Sequence, residues 1–296
     1  MKLSPLVCLP LLALLALPLS AQTLERVRAG NVLTLGYVDH LQPFSSGPET
    51  QPVGYAIELC QRIADRLKRE QALPHLQLRY RMVERERVSE ALQSGEVDLL
   101  CSPLVATLER RREVSFSLPI YPSGRGVAVR NEASPALLQV LEGQVKRTVP
   151  QWRASINRGL ARGTFVVIAG STAERWVREQ LRLFGVVSTL VPVQSFDEGM
   201  ALLREGKADA FFGDRVVLQN QVAASGAGDQ VRVLDRLFDL ESAALSMARG
   251  DEDLRLLVDS ELSLIYRSGE IEPLYRRYFG EPSEQVRLLF KAYALP

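Results

Sequence analysis

The chain has 296 residues, 46% hydrophobic and 24% charged, a globular composition that excludes a disordered, fibrous or coiled-coil protein and suggests two lobes at roughly 100 to 200 residues per domain. Lysine plus arginine number 36 against 35 aspartate plus glutamate, so the basic excess that nucleic-acid binding needs is missing.

Met1 and Lys2 precede an apolar run from Leu6 to Leu19 that closes on Ser20 and Ala21. The run is shorter than the roughly 20 residues of a membrane-spanning helix and contains Pro10 and Pro18, the pattern of a secretory signal; an uncleaved anchor is the alternative reading. Cys8 sits mid-run, badly placed for a lipid-modified first residue, and reads as signal filler. Cleavage after Ala21 removes one charge, that of Lys2, and leaves two cysteines, Cys60 and Cys101.

Val32 to Gly36 reads as a strand, and apolar residues from Ala56 through Leu59, Cys60, Ile63 and Leu67 form the stripe of an amphipathic helix. Leu76, Leu78, Tyr80 and Met82 alternate with polar residues as in a strand with one wet face. A short helix through Ala91 and Leu92 is stopped by Gly95, and Val97 to Cys101 is the next strand. Strand, helix, strand in this order predicts a parallel α/β sheet. Proline and glycine punctuate Pro119 to Gly126, where the chain is expected to cross between lobes at a hinge.

The second half repeats the unit. Phe165 to Ile168 reads as a strand, Ser195 and Glu198 form a capping box, a helix runs through Met200, Leu202 and Leu203 to Gly206, and Ala208 to Phe212 is a strand. "ALQSGEVDLL" from Ala91 is echoed by "LLREGKADAFF" from Leu202, with Asp98 and Asp209 in the same place. Cys60 on the helix stripe and Cys101 at a strand end are expected to form a disulfide in an oxidising compartment, with two buried thiols as the alternative.

Only two histidines occur, His40 and His75, neither at metal-ligand spacing, and no nucleophile elbow, Walker loop or dinucleotide fingerprint is found. What remains is a binding constellation. Arg110 follows one strand and Asp214 its counterpart, so each half places one charge of opposite sign beyond a strand end, where ligands sit in open α/β sheets. Gly170, Ser171 and Thr172 lead into a helix, whose amides and dipole favour a small anion. Singly, each residue is also what a surface charge or a helix cap looks like. Together they describe a site for an α-amino acid: arginine for the carboxylate, aspartate for the ammonium. Of Arg110, Arg111 and Arg112, at most one can face such a ligand.

In "VGYAIELCQRIADRL", "TLERRREVSFSLPIY", "AGST", "GKADAFFGD" and "SGEIEPLYRRYFG" the chain resembles the family 3 periplasmic solute-binding proteins, the amino-acid receptors of ABC importers. The resemblance implies an α/β, two-lobed periplasmic binding protein-like type II fold with a hinge and a cleft. Lobe one would be residues 22–120 plus 241–280, lobe two 121–240, and a tail 281–296, after a signal at 1–21. It further implies that Arg110 holds the ligand carboxylate, Asp214 the ammonium, and that Ser171 and Thr172 form the facing turn. The expected protein is a periplasmic monomer without cofactor, metal or catalysis, partnered by an ABC permease of the inner membrane and not by nucleic acid. Cys101 and the tail "PSEQVRLLFKAYALP" resemble the glutamate/aspartate branch most. Val38, however, stands where that branch carries an arginine, and Asp39 lies beside it. The expectation is therefore a neutral or cationic amino acid contacting Asp39, with Arg85 or Arg87 as the only nearby cations for an acidic one. Pro103, Leu104 and Val105 replace the usual glycine and hydroxyl residues, which motivates a rival reading as a sensor, an accessory module or a dehydratase-like enzyme. Residues 131–163, with Arg147, Arg153, Arg158 and Arg162, exceed the usual length and have no assigned role.

Overall fold

The computed structural model describes residues 23–144 and 159–296; the expected signal at 1–21, with Cys8, and Arg147, Arg153 and Arg158 lie outside the described residues. A first helix, α1 (Thr23–Gly30), leads into β1 (Val32–Tyr37), α2 (Tyr55–Glu70), β2 (Gln77–Met82), α3 (Val88–Ser94) and β3 (Leu99–Val105). β4 (Val114–Arg130) and α4 (Pro135–Leu141) follow. The second half continues with β5 (Thr164–Ile168), α5 (Thr172–Phe184), β6 (Thr189–Val193), α6 (Phe196–Arg204), β7 (Ala210–Asp214), α7 (Arg215–Ala224) and β8 (Val231–Val233). β9 (Leu240–Ala248) and the helices α8 (Glu252–Ser268), α9 (Ile271–Phe279) and α10 (Glu284–Tyr293) complete the chain.

The strands lie in the order β2-β1-β3-β9-β4-β7-β5-β6, with β8 also on β4. β1 is parallel to β2 and β3, and β5 is parallel to β6 and β7, so the strand-helix-strand units expected from the sequence are present in both halves. The sheet as a whole is mixed, because β9 runs antiparallel to β3 and β4, and β7 antiparallel to β4. At the sheet edge, Leu78 and Tyr80 of β2 are only half-buried and Met82 is exposed.

The echo between the halves has a physical basis. The amide of Asp98 donates to the carbonyl of Thr34 at 2.9 Å, and its carboxylate accepts from the Thr34 amide at 2.7 Å. Asp209 does the same with Thr164, at 2.8 Å in both bonds. Each aspartate pins the strand beside it and then binds an arginine, Arg26 for Asp98 and Arg130 for Asp209.

The proline and glycine stretch at 119–126 is not a turn but the middle of β4, which pairs with β9 up to Gly124 and with β7 from Arg125. Bulges on either side of Pro119 absorb the proline, which cannot donate to the ladder. The glycines are required by close approach: a Cβ on Gly124 would stand 2.7 Å from Leu237, and one on Gly126 2.8 Å from the Arg215 Cβ. Tyr55 and Tyr266 donate their hydroxyls to the carbonyls of Ile120 and Pro119, at 2.8 and 2.6 Å, and Tyr121 packs against Phe44, Tyr275 and Phe279.

α2 buries Leu59, Cys60, Ile63, Ala64 and Leu67 against the sheet. Cys60 is bonded to Cys101 of β3, with Cα atoms 6.0 Å apart, so the thiol alternative falls away. The bond closes a loop between positions 41 residues apart, for which chain entropy gives roughly 3–4 kcal/mol of stabilisation. Urea unfolding of the wild type against the Cys60→Ser/Cys101→Ser double variant should show a loss of about 2–4 kcal/mol; an unchanged midpoint would refute a stabilising role for the bond.

Candidate functional site

A cavity opens between the two halves of the sheet. Its apolar wall comes from Leu41, Leu104, Val105, Ile168, Phe196 and Val217, and its charged wall from Arg85, Arg110, Arg125, Asp214 and Glu241, with Ser171 and Thr172 at one end.

Arg110 ends the Thr107–Arg110 turn, whose Thr107 hydroxyl accepts from the Arg110 amide at 3.1 Å. Its guanidinium donates to the carbonyl of Val105 at 3.1 Å and, across the cavity, to that of Gly170 at 3.4 Å. Arg111 and Arg112 point to solvent, as expected for three consecutive residues. Arg85, in a single 3₁₀ turn before α3, is half-buried on the same cavity. Burial, and after it the charge of Arg110, pushes its pKa down to about 10. Burial, with Arg175 adding to it, lowers Arg110 as well. Among the described residues no carboxylate forms an ion pair with either guanidinium. Arg87, the other cation considered above, is exposed and bound to Glu90 and Glu96.

Asp214 terminates β7 and caps α7, accepting from the amides of Val216 and Val217 at 3.0 and 3.4 Å and from the Ser123 hydroxyl. Burial raises its carboxyl above the usual range, against the effect of these hydrogen bonds. Ser171 caps α5, accepting from the Glu174 amide at 3.1 Å, while the Glu174 carboxylate takes the Gly170 amide at 2.8 Å. Thr172 and Ala173, whose first-turn amides have no helical acceptor, line the cavity. The Thr172 hydroxyl donates to Glu241 at 3.1 Å.

The structure brings Arg110, Asp214, Ser171, Thr172 and Arg85 onto one cavity. Asp39 lies apart from it, at the adjoining mouth, where its carboxylate accepts from the amides of His40 and Gly47 at 2.7 and 2.9 Å. Two residues of the site escaped the sequence reading. Arg125, 3% exposed, reaches from β4 to Asp239 and, at 2.7 Å, to Glu241, and its guanidinium lies 5.1 Å over the Trp176 ring. Nothing local marks this pair, since Arg125 and Glu241 are 116 residues apart. Removing one member of a buried ion pair typically costs 3–5 kcal/mol because the other is left uncompensated. Arg125→Met should therefore lower the unfolding free energy by about 3 kcal/mol, and a change under 1 kcal/mol would mean that Asp239 and Glu241 do not depend on it.

Comparison with known proteins agrees with this architecture. The profile of the bacterial extracellular solute-binding proteins, family 3, matches residues 33–281. A relative from Pseudomonas aeruginosa, the L-glutamate/L-aspartate-binding protein, is 26% identical over 276 residues, covering 91% of this chain and 85% of its own. The L-cystine-binding protein TcyJ of Escherichia coli is 22% identical over 87% of this chain and 86% of its own. Among solved structures, an ancestral arginine-binding protein bound to arginine superposes with a TM-score of 0.68 at 23% identity, covering 84% of this chain and 99% of its own. The ancestral amino acid-binding protein AncCDT-1, a precursor of cyclohexadienyl dehydratase, reaches a TM-score of 0.70 at 22% identity, over 88% and 100%.

Proposed function

Because the chain belongs to the bacterial extracellular solute-binding proteins, family 3, we propose that it is the receptor of an amino-acid ABC importer and that its ligand is an acidic α-amino acid. In this reading residues 1–21 are cleaved on export to the periplasm. The lobes 22–120 plus 241–280 and 121–240 then close as a monomer on the ligand and present it to an inner-membrane permease, without catalysis.

The observation that carries the reading is the pair of guanidiniums, Arg110 and Arg85, that line one cavity without a counter-ion among the described residues. A buried or half-buried cation without a partner is costly, and a ligand carboxylate repays that cost through charge-assisted hydrogen bonds. Arg110 and the Thr172 and Ala173 amides take the α-carboxylate, Asp214 takes the ammonium, and Arg85 takes a side-chain carboxylate. The name of the Pseudomonas aeruginosa relative points the same way. This reading departs from the neutral or cationic preference expected from Val38 and Asp39, and it is supported by the engagement of the Asp39 carboxylate with two backbone amides and His40.

Isothermal titration with glutamate, glutamine and arginine tests the proposal. Glutamate is expected to bind at least tenfold more tightly than the others, a difference of about 1.4 kcal/mol. Arg85→Ala should erase that preference while leaving glutamine binding nearly intact. Arg110→Ala or Asp214→Ala should weaken every ligand by about 30-fold or more, since truncating one side of a desolvated charge pair costs 2–5 kcal/mol. Arg111→Ala should change nothing. Tighter binding of arginine or glutamine than of glutamate would overturn the acidic ligand, and equal losses at Arg110 and Arg111 would overturn the site.

A further inference from the structure

His40 sits at the mouth of the cleft, on the first half, between two carboxylates from different halves. Its Nδ1 is 3.2 Å from Oδ2 of Asp197, in the first turn of α6, and its Nε2 is 3.5 Å from Oδ2 of Asp39. The ring is held there by its backbone: His40 has φ of 57°, the left-handed region that non-glycine residues seldom adopt, and its amide is bonded to the side chain of Asp39. Asp39 is fixed in turn by the Gly47 amide, and Asp197 stands in the first turn of α6.

We propose that His40 is a proton-operated latch between the lobes, its protonated ring bridging Asp39 and Asp197 and so favouring the closed arrangement. The proposal rests on the two-lobe closure described above. A neutral imidazole carries one N–H and no charge, whereas the imidazolium carries an N–H on each ring nitrogen and a positive charge attracted by both carboxylates. Opening the cleft removes Asp197 but leaves Asp39, so a positively charged ring gains a partner on the other half only when the halves close, and closure is favoured where the ring carries its charge. Histidine is the side chain that ordinarily changes charge between pH 5 and 8. The other charged groups at the mouth are Glu84, Arg85 and Glu86 on the turn before α3, and Glu49, which together with Asp39 acts on the Tyr37 hydroxyl. All of them belong to the first half and move with His40, so Asp197 is the group whose distance changes.

Leu108 and Val187 are both 85% exposed, one on each half. Spin labels on Leu108→Cys/Val187→Cys report the distance between the lobes in the ligand-free full chain at pH 8 and pH 5.5. The ratio of the short-distance population to the long one should rise about three- to fivefold on acidification, the scale of an exposed ion pair. His40→Gln and Asp197→Asn should each abolish the rise without altering the melting temperature. An equal rise in either variant, or none in the wild-type background, would overturn the latch. Titration of the same proteins with L-glutamate separates the two proposals. Failure of glutamate to bind would count against the acidic ligand and leave the ligand-free distances to decide the latch.

Discussion

One strand governs the geometry of the molecule. β4 runs without interruption from Val114 to Arg130, pairing first with β9 and then with β7. The switch of partner falls between Gly124 and Arg125. Three of the charged groups that line the cavity are arranged around that switch: Arg125 on β4 itself, Asp214 opposite it at the end of β7, and Glu241 at the start of β9. The backbone is continuous across the seam, so a change in the angle between the halves must be absorbed within the paired strands β4 and β9. Tyr55 and Tyr266 hold the first-half side of this region by its carbonyls, and Ser123 and Arg125 hold the other side through Asp214, Asp239 and Glu241.

The electrostatics divide into groups that are settled and groups that are waiting. Arg125 is settled: two carboxylates and an aromatic ring surround it. Asp214 is nearly so, with a hydroxyl and two amides, although burial still raises its carboxyl. Arg110 and Arg85 have backbone carbonyls or one another for company, and mutual repulsion adds to desolvation at Arg85. A folded protein tolerates such an arrangement only where a function recovers the cost. In the closure proposed above, the position of these groups between the two halves makes the recovery greatest as water is displaced.

The local parts of this structure could be read from the sequence. Helical stripes, the glycine stops at Gly95 and Gly206 and the Ser195 cap all follow from periodicity and backbone chemistry, and the Asp98/Asp209 echo revealed two units of one kind because each aspartate performs the same strand-pinning task. Turn geometry implied that at most one of Arg110, Arg111 and Arg112 faces a ligand, and the family resemblance implied that it is Arg110. Arg85 could not be separated from Arg87, because the single 3₁₀ turn that rotates one inward and the other outward leaves no periodic trace in the sequence. The pairs that were missed, Arg125 with Glu241 and His40 with Asp197, join residues far apart along the chain. Pro119 to Gly126, expected as the crossing between lobes, is where β4 changes partner from β9 to β7, and only its extended form was not legible. Proline and glycine usually mark turns, but here bulges and close strand packing require them within an extended strand.

The insertion of β9 between β3 and β4 has a temporal consequence. The first half draws its inner strand and three covering helices from the last portion of the chain, whereas strands β5 to β8 of the second half lie in one continuous stretch. During synthesis from the amino end, β3 is made long before Leu240–Ala248, the segment that must lie beside it. Until then its inner edge is unpaired and the apolar face of α2 lacks the helices that cover it. The first core therefore cannot be completed until the segment that carries β9 and the last three helices is available, and this long-range pairing makes folding slow by topology rather than by any weakness of the finished fold.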